Sequence, residues 1–445
     1  MKIEQLSLTN FRCFESLEIG FHHELTVLVG ANGAGKTAIL EALTAAYGTF
    51  LGSFDEVAGV HFVPGDARLA RLQENSLEME AQYPVALSAQ GIWAGNSHFW
   101  SRSLMGSSNK TTIRDATALT NYGKELQVQL RKDPNLSLPL LAYYGTGRLW
   151  NIGRVADQER ALLSASRTAG YKRCMDSVSN YKEFAFWLRQ AFLAITEEQG
   201  AVAQGAQRSG IGKRIQDLVK AIQVAVNQCL EHVAWHDLFY SFRTEQIMAC
   251  HKGQGVIPVN LLSDGVRNLL SLAADIAYRC CKLNGHLGAD APLKTQGIVM
   301  IDEIDMHLHP RWQQEVVGAF QRAFPAIQFV LTTHSPHLIS AVPSECIRIF
   351  EEGRVCGAPA GVKGADSSRI LSNVFGTQSR PPKDQNTILL NKYLGLVFED
   401  QWQSEEALSL RKELDAIFQG EEPELTRADI RIQNRKWELD DEAGQ

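Results

Sequence analysis

No run of 18 or more apolar residues occurs in this 445-residue sequence, which leaves no material for a transmembrane helix. The opening Met1-Lys2-Ile3-Glu4 also lacks the apolar core of a signal peptide, so a cytoplasmic protein is expected. Eight cysteines are scattered along the chain and none forms a CxxC pair. A chain of this size does not need disulfides, and reduced thiols are the expected state. Internal repeats and low-complexity tracts are absent. An excess of positive charge is missing too: the net charge of -6 argues against a protein that coats nucleic acid with its whole surface.

What is present is 44% apolar content, enough for two or three packed units. The charge is unevenly placed. Between Tyr143 and Arg189 eight Lys/Arg stand against four acids, and from Glu399 to Gln445 fourteen acids stand against six bases. A solvated face accounts for either bias. Alternatively, Arg148, Arg154 and Arg160 line a DNA path through phosphate contacts, and the acidic tail docks a partner.

Apolar and polar residues alternate over the first 24 positions, which predicts two strands around an Asn10-Phe11-Arg12 turn. Residues 25–29 read as a short buried strand, and a helix is predicted from about Lys36 to Tyr47. Alternation over 82–104 suggests an antiparallel meander, 107–112 an exposed loop, and 138–143 a second buried strand ending at Gly145. Helical spacing marks 181–195 and again Ile215 to Val233, with 199–211 as the loop of a helical hairpin. Strand character returns over 238–259 around Gly253-Gln254-Gly255. After about Lys363 the chain is mostly helical; Ala407, Leu410, Leu414 and Ile417 share a face, and Gly420 is a C-cap candidate.

Two segments carry chemistry. Gly30-Ala31-Asn32-Gly33-Ala34-Gly35-Lys36-Thr37 satisfies the Walker A pattern, between an apolar strand and a helix. Its glycines let backbone N–H groups curl around phosphate oxygens, and the helix N-terminus adds partial positive charge. Lys36 would reach the β- and γ-phosphates, and Thr37 would ligand Mg²⁺. The second is the apolar run 298–301 ending in Asp302-Glu303: Asp302 for the metal shell, Glu303 one step beyond as a base for water. His307, His309, His334 and His337 match no zinc spacing, and His309-Pro310 suits a helix start.

Together these segments resemble the nucleotide-binding heads of the ABC-ATPase superfamily. Leu262-Ser263-Asp264-Gly265-Val266-Arg267 is similar to its signature loop, Asp305-Met306-His307 to its D-loop, and His334 to its switch histidine, all in the required order. The resemblance implies that Ser263, Asp264 and Gly265 of one head cap the nucleotide of another, and hence a head-to-head dimer or higher oligomer. Thr37 and Ser263 lie 226 positions apart, which favours the branch without membrane domains. Phe11-Arg12-x-Phe14, Tyr144-Gly145-Thr146-Gly147-Arg148, Asp305-Met306-His307-Leu308-His309-Pro310 with Trp312, Gly364-x-Asp366-Ser367-Ser368 and Glu422-Pro423-Glu424-Leu425 resemble the Septu antiphage ATPases (PtuA-like) and their retron-associated relatives. That resemblance implies ATP and Mg²⁺ as ligands and a separate HNH-type nuclease as partner. No nuclease motif is found in this chain. An autonomous DNA-repair or DNA-clamping ATPase is the alternative, weakened by the lack of a long coiled coil between Walker A and signature. One feature departs from the superfamily: no Gln follows the 138–143 strand until Gln158, which bears on the rate of hydrolysis.

The expected architecture is α/β, a P-loop ABC-ATPase head with a mixed central sheet, an antiparallel β subdomain, a helical insertion and a helical C-terminal tail. The expected divisions are 1–160 for the N-terminal lobe, 161–236 for the insertion, 237–362 for the C-terminal lobe and 363–445 for the acidic tail.

Overall fold

The alternating N-terminus folds as an antiparallel hairpin of β1 (Lys2–Phe11) and β2 (Phe14–Gly20), with Ile3, Leu6, Leu8, Leu17 and Ile19 buried. The computed structural model describes residues 1–71, 78–148, 166–177, 181–205, 207, 210–351 and 353–443. The hairpin turn falls at Arg12-Cys13 rather than around Phe11, with Asn10 and Arg12 at positive φ. β3 (Leu25–Gly30) is buried throughout, and α1 (Lys36–Leu51) follows it. The helix runs past Tyr47 because Phe50 and Leu51 are themselves buried.

Short β4 (Leu69–Ala70) and β5 (Glu80–Ala81) pair with each other. β6 (Val85–Trp93) and β7 (Asn96–Leu104) form the predicted meander and extend the first hairpin to the order β2-β1-β6-β7. α2 (Thr117–Leu130) has no counterpart in the sequence expectations. Its buried stripe is thin and includes Gly123, where a Cβ would strike the Ser53 Oγ at 1.9 Å, so the apolar period is masked.

β8 (Leu140–Tyr144) is followed by α3 (Lys182–Ala203) and α4 (Gly210–Cys229). Residues 199–203, expected as loop, are the last turn of α3; Gln199, Ala201 and Ala203 favour helix enough to carry Gly200. β9 (Trp235–Ser241), β10 (Gln246–His251) and β11 (Gly255–Pro258) make a separate antiparallel sheet. Then come α5 (Asp264–Leu283), buried over most of its length and packed on α4, and short α6 (Ala291–Lys294).

β12 (Gly297–Ile301), α7 (Pro310–Ala323), β13 (Ile327–Thr333), α8 (Pro336–Ile339), β14 (Ile347–Glu351) and β15 (Arg354–Gly357) complete the α/β core. Pro310 opens α7 at its first position, and the His309 side chain accepts from Arg311 N at 3.3 Å as the cap. Among the described residues the central sheet has six strands, β15-β14-β3-β13-β12-β8, parallel except for β15. The inner strands β3, β13, β12 and β8 are buried at every position, as strands covered on both faces are, which explains their predominantly apolar sequences. In register, Val27 lies opposite Leu331, Leu331 opposite Ile301, and Ile301 opposite Tyr144. The carboxyl ends of β3, β13, β12 and β8 therefore stand side by side, where open parallel sheets bind ligands.

Residues Met1–Ile370 form one compact unit and Leu371–Gln445 a second. Late helices are α9 (Ser367–Asn373), α10 (Gln385–Phe398), α11 (Glu405–Phe418) and α12 (Pro423–Ala443). Leu390, Tyr393, Val397, Ala407, Leu410, Leu414, Leu425 and Ala428 are the core of the second unit. Ile417, on the same face by spacing, is 37% exposed in the last turn of α11. The left-handed cap begins at Gln419 (φ 49°) and continues through Gly420 (φ 82°). Among the described residues no helix is long and apolar enough to cross a membrane.

Candidate functional site

The phosphate-type loop begins where β3 ends. Gly33 and Gly35 adopt φ of 79° and 93°, the left-handed region that glycine enters without penalty. Gly35 has a second constraint, since a Cβ there would stand 2.2 Å from the Phe14 ring. Asn32 and Gly33 are exposed, Ala34 and Gly35 half-buried. Lys36 is 7% exposed, and its Nζ donates to Gly30 O and Ala31 O, each at 2.9 Å. Burial lowers its pKa, while the charges of Asp302 and Glu303 oppose that shift.

β12 delivers Asp302 to the same place. Thr37 Oγ1 donates to Asp302 Oδ2 at 2.8 Å, and Thr332 Oγ1 donates to Asp302 Oδ1 at 2.6 Å. The Asp302 backbone N–H donates to Tyr144 O at 2.8 Å, so β8, β12 and β13 all fix this carboxylate. Thr332 Oγ1 also accepts from Glu303 N at 2.7 Å. Glu303 is half-buried and sits at φ 47°, unusual for a residue with a side chain. His334, just beyond β13, has its pKa lowered by burial and then by Lys36, with Glu303, Asp305 and Asp302 acting in the other direction. Burial pushes the Asp305 carboxyl up.

Ser263 is the N-cap of α5, exposed, and makes no capping bond to its own helix. Its hydroxyl and the helix N-terminus are thus presented outward, an arrangement that suits an anion. Asp264 is exposed and pairs with Arg267. Gly265 is buried against the loop after β12: a Cβ would lie 2.3 Å from His307 O. Asn268, one turn on, donates to Met306 O at 3.4 Å.

Arg148 overturns an expectation. It does not lie on a basic surface for DNA phosphates, because it is 0% exposed and bonded inside the head. Its Nε donates to Asn268 Oδ1 at 3.0 Å, and its terminal nitrogens donate to Gly145 O at 2.9 Å, Glu303 O at 2.6 Å and Asp302 O. Burial lowers its pKa, and the nearby acids counter this. Arg154, Arg160 and Gln158 lie outside the described residues. Sequence reasoning missed three residues that build this site: Arg148, Asn268 and Thr332. A signal for Thr332 exists in the Thr332-Thr333-His334 run at a strand end; nothing local marks Asn268.

Chemically, a glycine-rich loop with a lysine at a helix start suits a polyphosphate. The Thr37 hydroxyl and the Asp302 carboxylate converge within 2.8 Å, a pair of hard oxygen donors of the kind Mg²⁺ prefers. Glu303 follows Asp302 directly, and its charge acts on both Lys36 and His334.

A model of the family described as "AAA domain, putative AbiEii toxin, Type IV TA system" matches residues 25–340. The chain is 27% identical to the "Retron Ec83 probable ATPase" of Escherichia coli, across 100% of this chain and 89% of that protein. It is 26% identical to the "Retron Vc95 probable ATPase" of Vibrio cholerae serotype O1 biovar El Tor, across 93% of this chain and 86% of that one. A shorter stretch, 30% of this chain and 19% of the other, is 37% identical to the "Septu protein PtuA" of Bacillus mycoides (strain KBAB4).

Proposed function

From membership of this AAA-domain family, to which the chain belongs over residues 25–340, we propose an ABC-type ATPase that acts in antiphage defence by controlling a partner HNH-type nuclease. Relatives named as retron ATPases and as Septu PtuA support the ATPase and defence parts of this reading. The lack of a nuclease motif in the chain supports a nuclease supplied by another protein.

One observation carries the catalytic reading: the hydrogen bond between Thr37 and Asp302, 265 positions apart, joins the glycine loop to the acidic strand end. In this reading the N–H groups of Asn32, Gly33, Ala34 and Gly35 cradle the phosphates of ATP, and Lys36 turns from its loop carbonyls to the β- and γ-phosphates. Thr37 and Asp302 would hold Mg²⁺, which would supply positive charge to offset that of the phosphates. Glu303 takes the proton of the attacking water, and His334 contacts the γ-phosphate side of the site. Ser263, Asp264 and Gly265 cap the nucleotide held by a second copy, so the working unit is at least a dimer.

The test of the biological reading is a tagged purification from the native host in ATP, with co-purifying proteins identified by mass spectrometry. A stoichiometric small nuclease is expected. A partner-free protein that carries DNA would contradict control of a nuclease and favour an autonomous DNA-clamping ATPase.

A further inference from the structure

A buried cation must find acceptors inside the protein, and the acceptors of Arg148 come from three separate elements. Gly145 follows β8, Asn268 stands on α5, and Asp302 and Glu303 follow β12. The planar guanidinium holds all of them in one fixed fan, which a lysine has no means of doing.

The contact with Glu303 bears most directly on chemistry. At φ 47° its backbone lies in a region that disfavours side chains, so the surrounding structure has to hold it there. Two bonds do so from opposite ends: Thr332 Oγ1 takes the N–H, and Arg148 takes the carbonyl at 2.6 Å. The direction of the Glu303 side chain follows from that backbone.

On the other side Arg148 is tied to the helix that begins with the signature loop. Asn268 receives Arg148 Nε and donates to Met306 O, while Gly265 lets the first turn of α5 approach His307 O without clearance for a Cβ. Further along α5, Asp275 accepts from the Tyr144 hydroxyl at 2.7 Å, anchoring the helix to β8 as well. The first turns of α5 and the 302–307 loop are thereby seated without slack.

We propose that Arg148 and Asn268 are positioning residues that lock the Glu303 backbone to the signature helix, so that the loop offered to a second copy and the acid acting on water move as one body. Capping of a partner's nucleotide by Ser263 then sets the aim of Glu303 in the same head. This rests on the ATPase reading above.

The test compares kcat, KM for ATP and Tm among variants of the full chain. Asn268→Asp keeps an acceptor for Arg148, whereas Asn268→Leu removes it at similar volume. Arg148→Lys keeps the charge and loses the fan. Misplacement of a catalytic group by about 1 Å costs on the order of 100-fold in rate, so Asn268→Leu and Arg148→Lys are expected to lose about 10- to 100-fold in kcat, with KM within about 3-fold. Asn268→Asp keeps the acceptor for Arg148 but loses the donor to Met306 O, and is expected to lose clearly less kcat than Asn268→Leu, with KM within about 3-fold. Equal losses in Asn268→Asp and Asn268→Leu, or losses confined to KM, would overturn the proposal. If Arg148→Lys fails to fold, the Asn268 pair decides alone. Glu303→Gln, run alongside, separates the levels. An inactive Glu303→Gln with a fully active Asn268→Leu overturns this tie and spares the ATPase reading. An active Glu303→Gln overturns the tie and the choice of Glu303 as base, whereas absence of ATP hydrolysis by the wild-type chain would overturn the ATPase reading.

Discussion

Lys36 and Arg148 are both buried cations within electrostatic reach of Asp302 and Glu303. Their commitments differ. Lys36 serves two carbonyls of its own loop, five and six residues away, through a compact ammonium on a flexible stem. Those carbonyls neighbour exposed loop residues, and the ammonium can leave them for a phosphate. Arg148 serves groups 120, 154 and 155 positions away through a rigid fork and is itself 0% exposed. One positive charge is held ready and the other is spent on the frame. Positive charge beside a carboxylate therefore says little about role until its partners are counted.

That contrast can be broken by mutation. Arg148→Leu has the larger expected effect on the fold, because it strands several buried acceptors at once; a loss of about 3–5 kcal/mol is expected, read as a lowered Tm and denaturant midpoint. Tolerance of this change would put Arg148 in the same class as Lys36. Lys36→Ala has the smaller effect on the fold, under about 1 kcal/mol, since its two carbonyls border exposed loop and can turn to water. Its effect falls on ligand instead. Loss of a charge-assisted phosphate contact should weaken ATP binding by about 100-fold in calorimetry or fluorescence titration. Equal destabilisation by both changes would erase the distinction.

The same contrast explains what could be read from the sequence. The glycine loop and the Asp302-Glu303 strand end are local patterns, each complete within about eight residues, and the buried parallel strands at 25–30, 297–301 and 327–333 are mostly apolar, with Thr26, Gln328, Thr332 and Thr333 as their buried polar residues. Arg148 was legible as one more basic residue in a basic stretch and as the end of the Tyr144–Arg148 motif, but its structural role was not, because that depends on residues more than a hundred positions away. Asn268 has no local signature at all. α2 stayed hidden because a glycine stands in its buried stripe, and the exposure of Ile417 was not legible because helical spacing does not show how far along a helix the packing extends. Periodicity reports burial by one's own element, whereas the hydrogen-bonded frame of a site is a property of topology.

The most direct test of the account is ATP binding and phosphate release by Glu303→Gln beside wild type, with mass measured by light scattering. The account predicts that the variant binds ATP as tightly as wild type, releases phosphate at least about 100-fold more slowly, and accumulates as an ATP-bound dimer. Phosphate release at the wild-type rate would show that Glu303 is not the base and would contradict the site as built here.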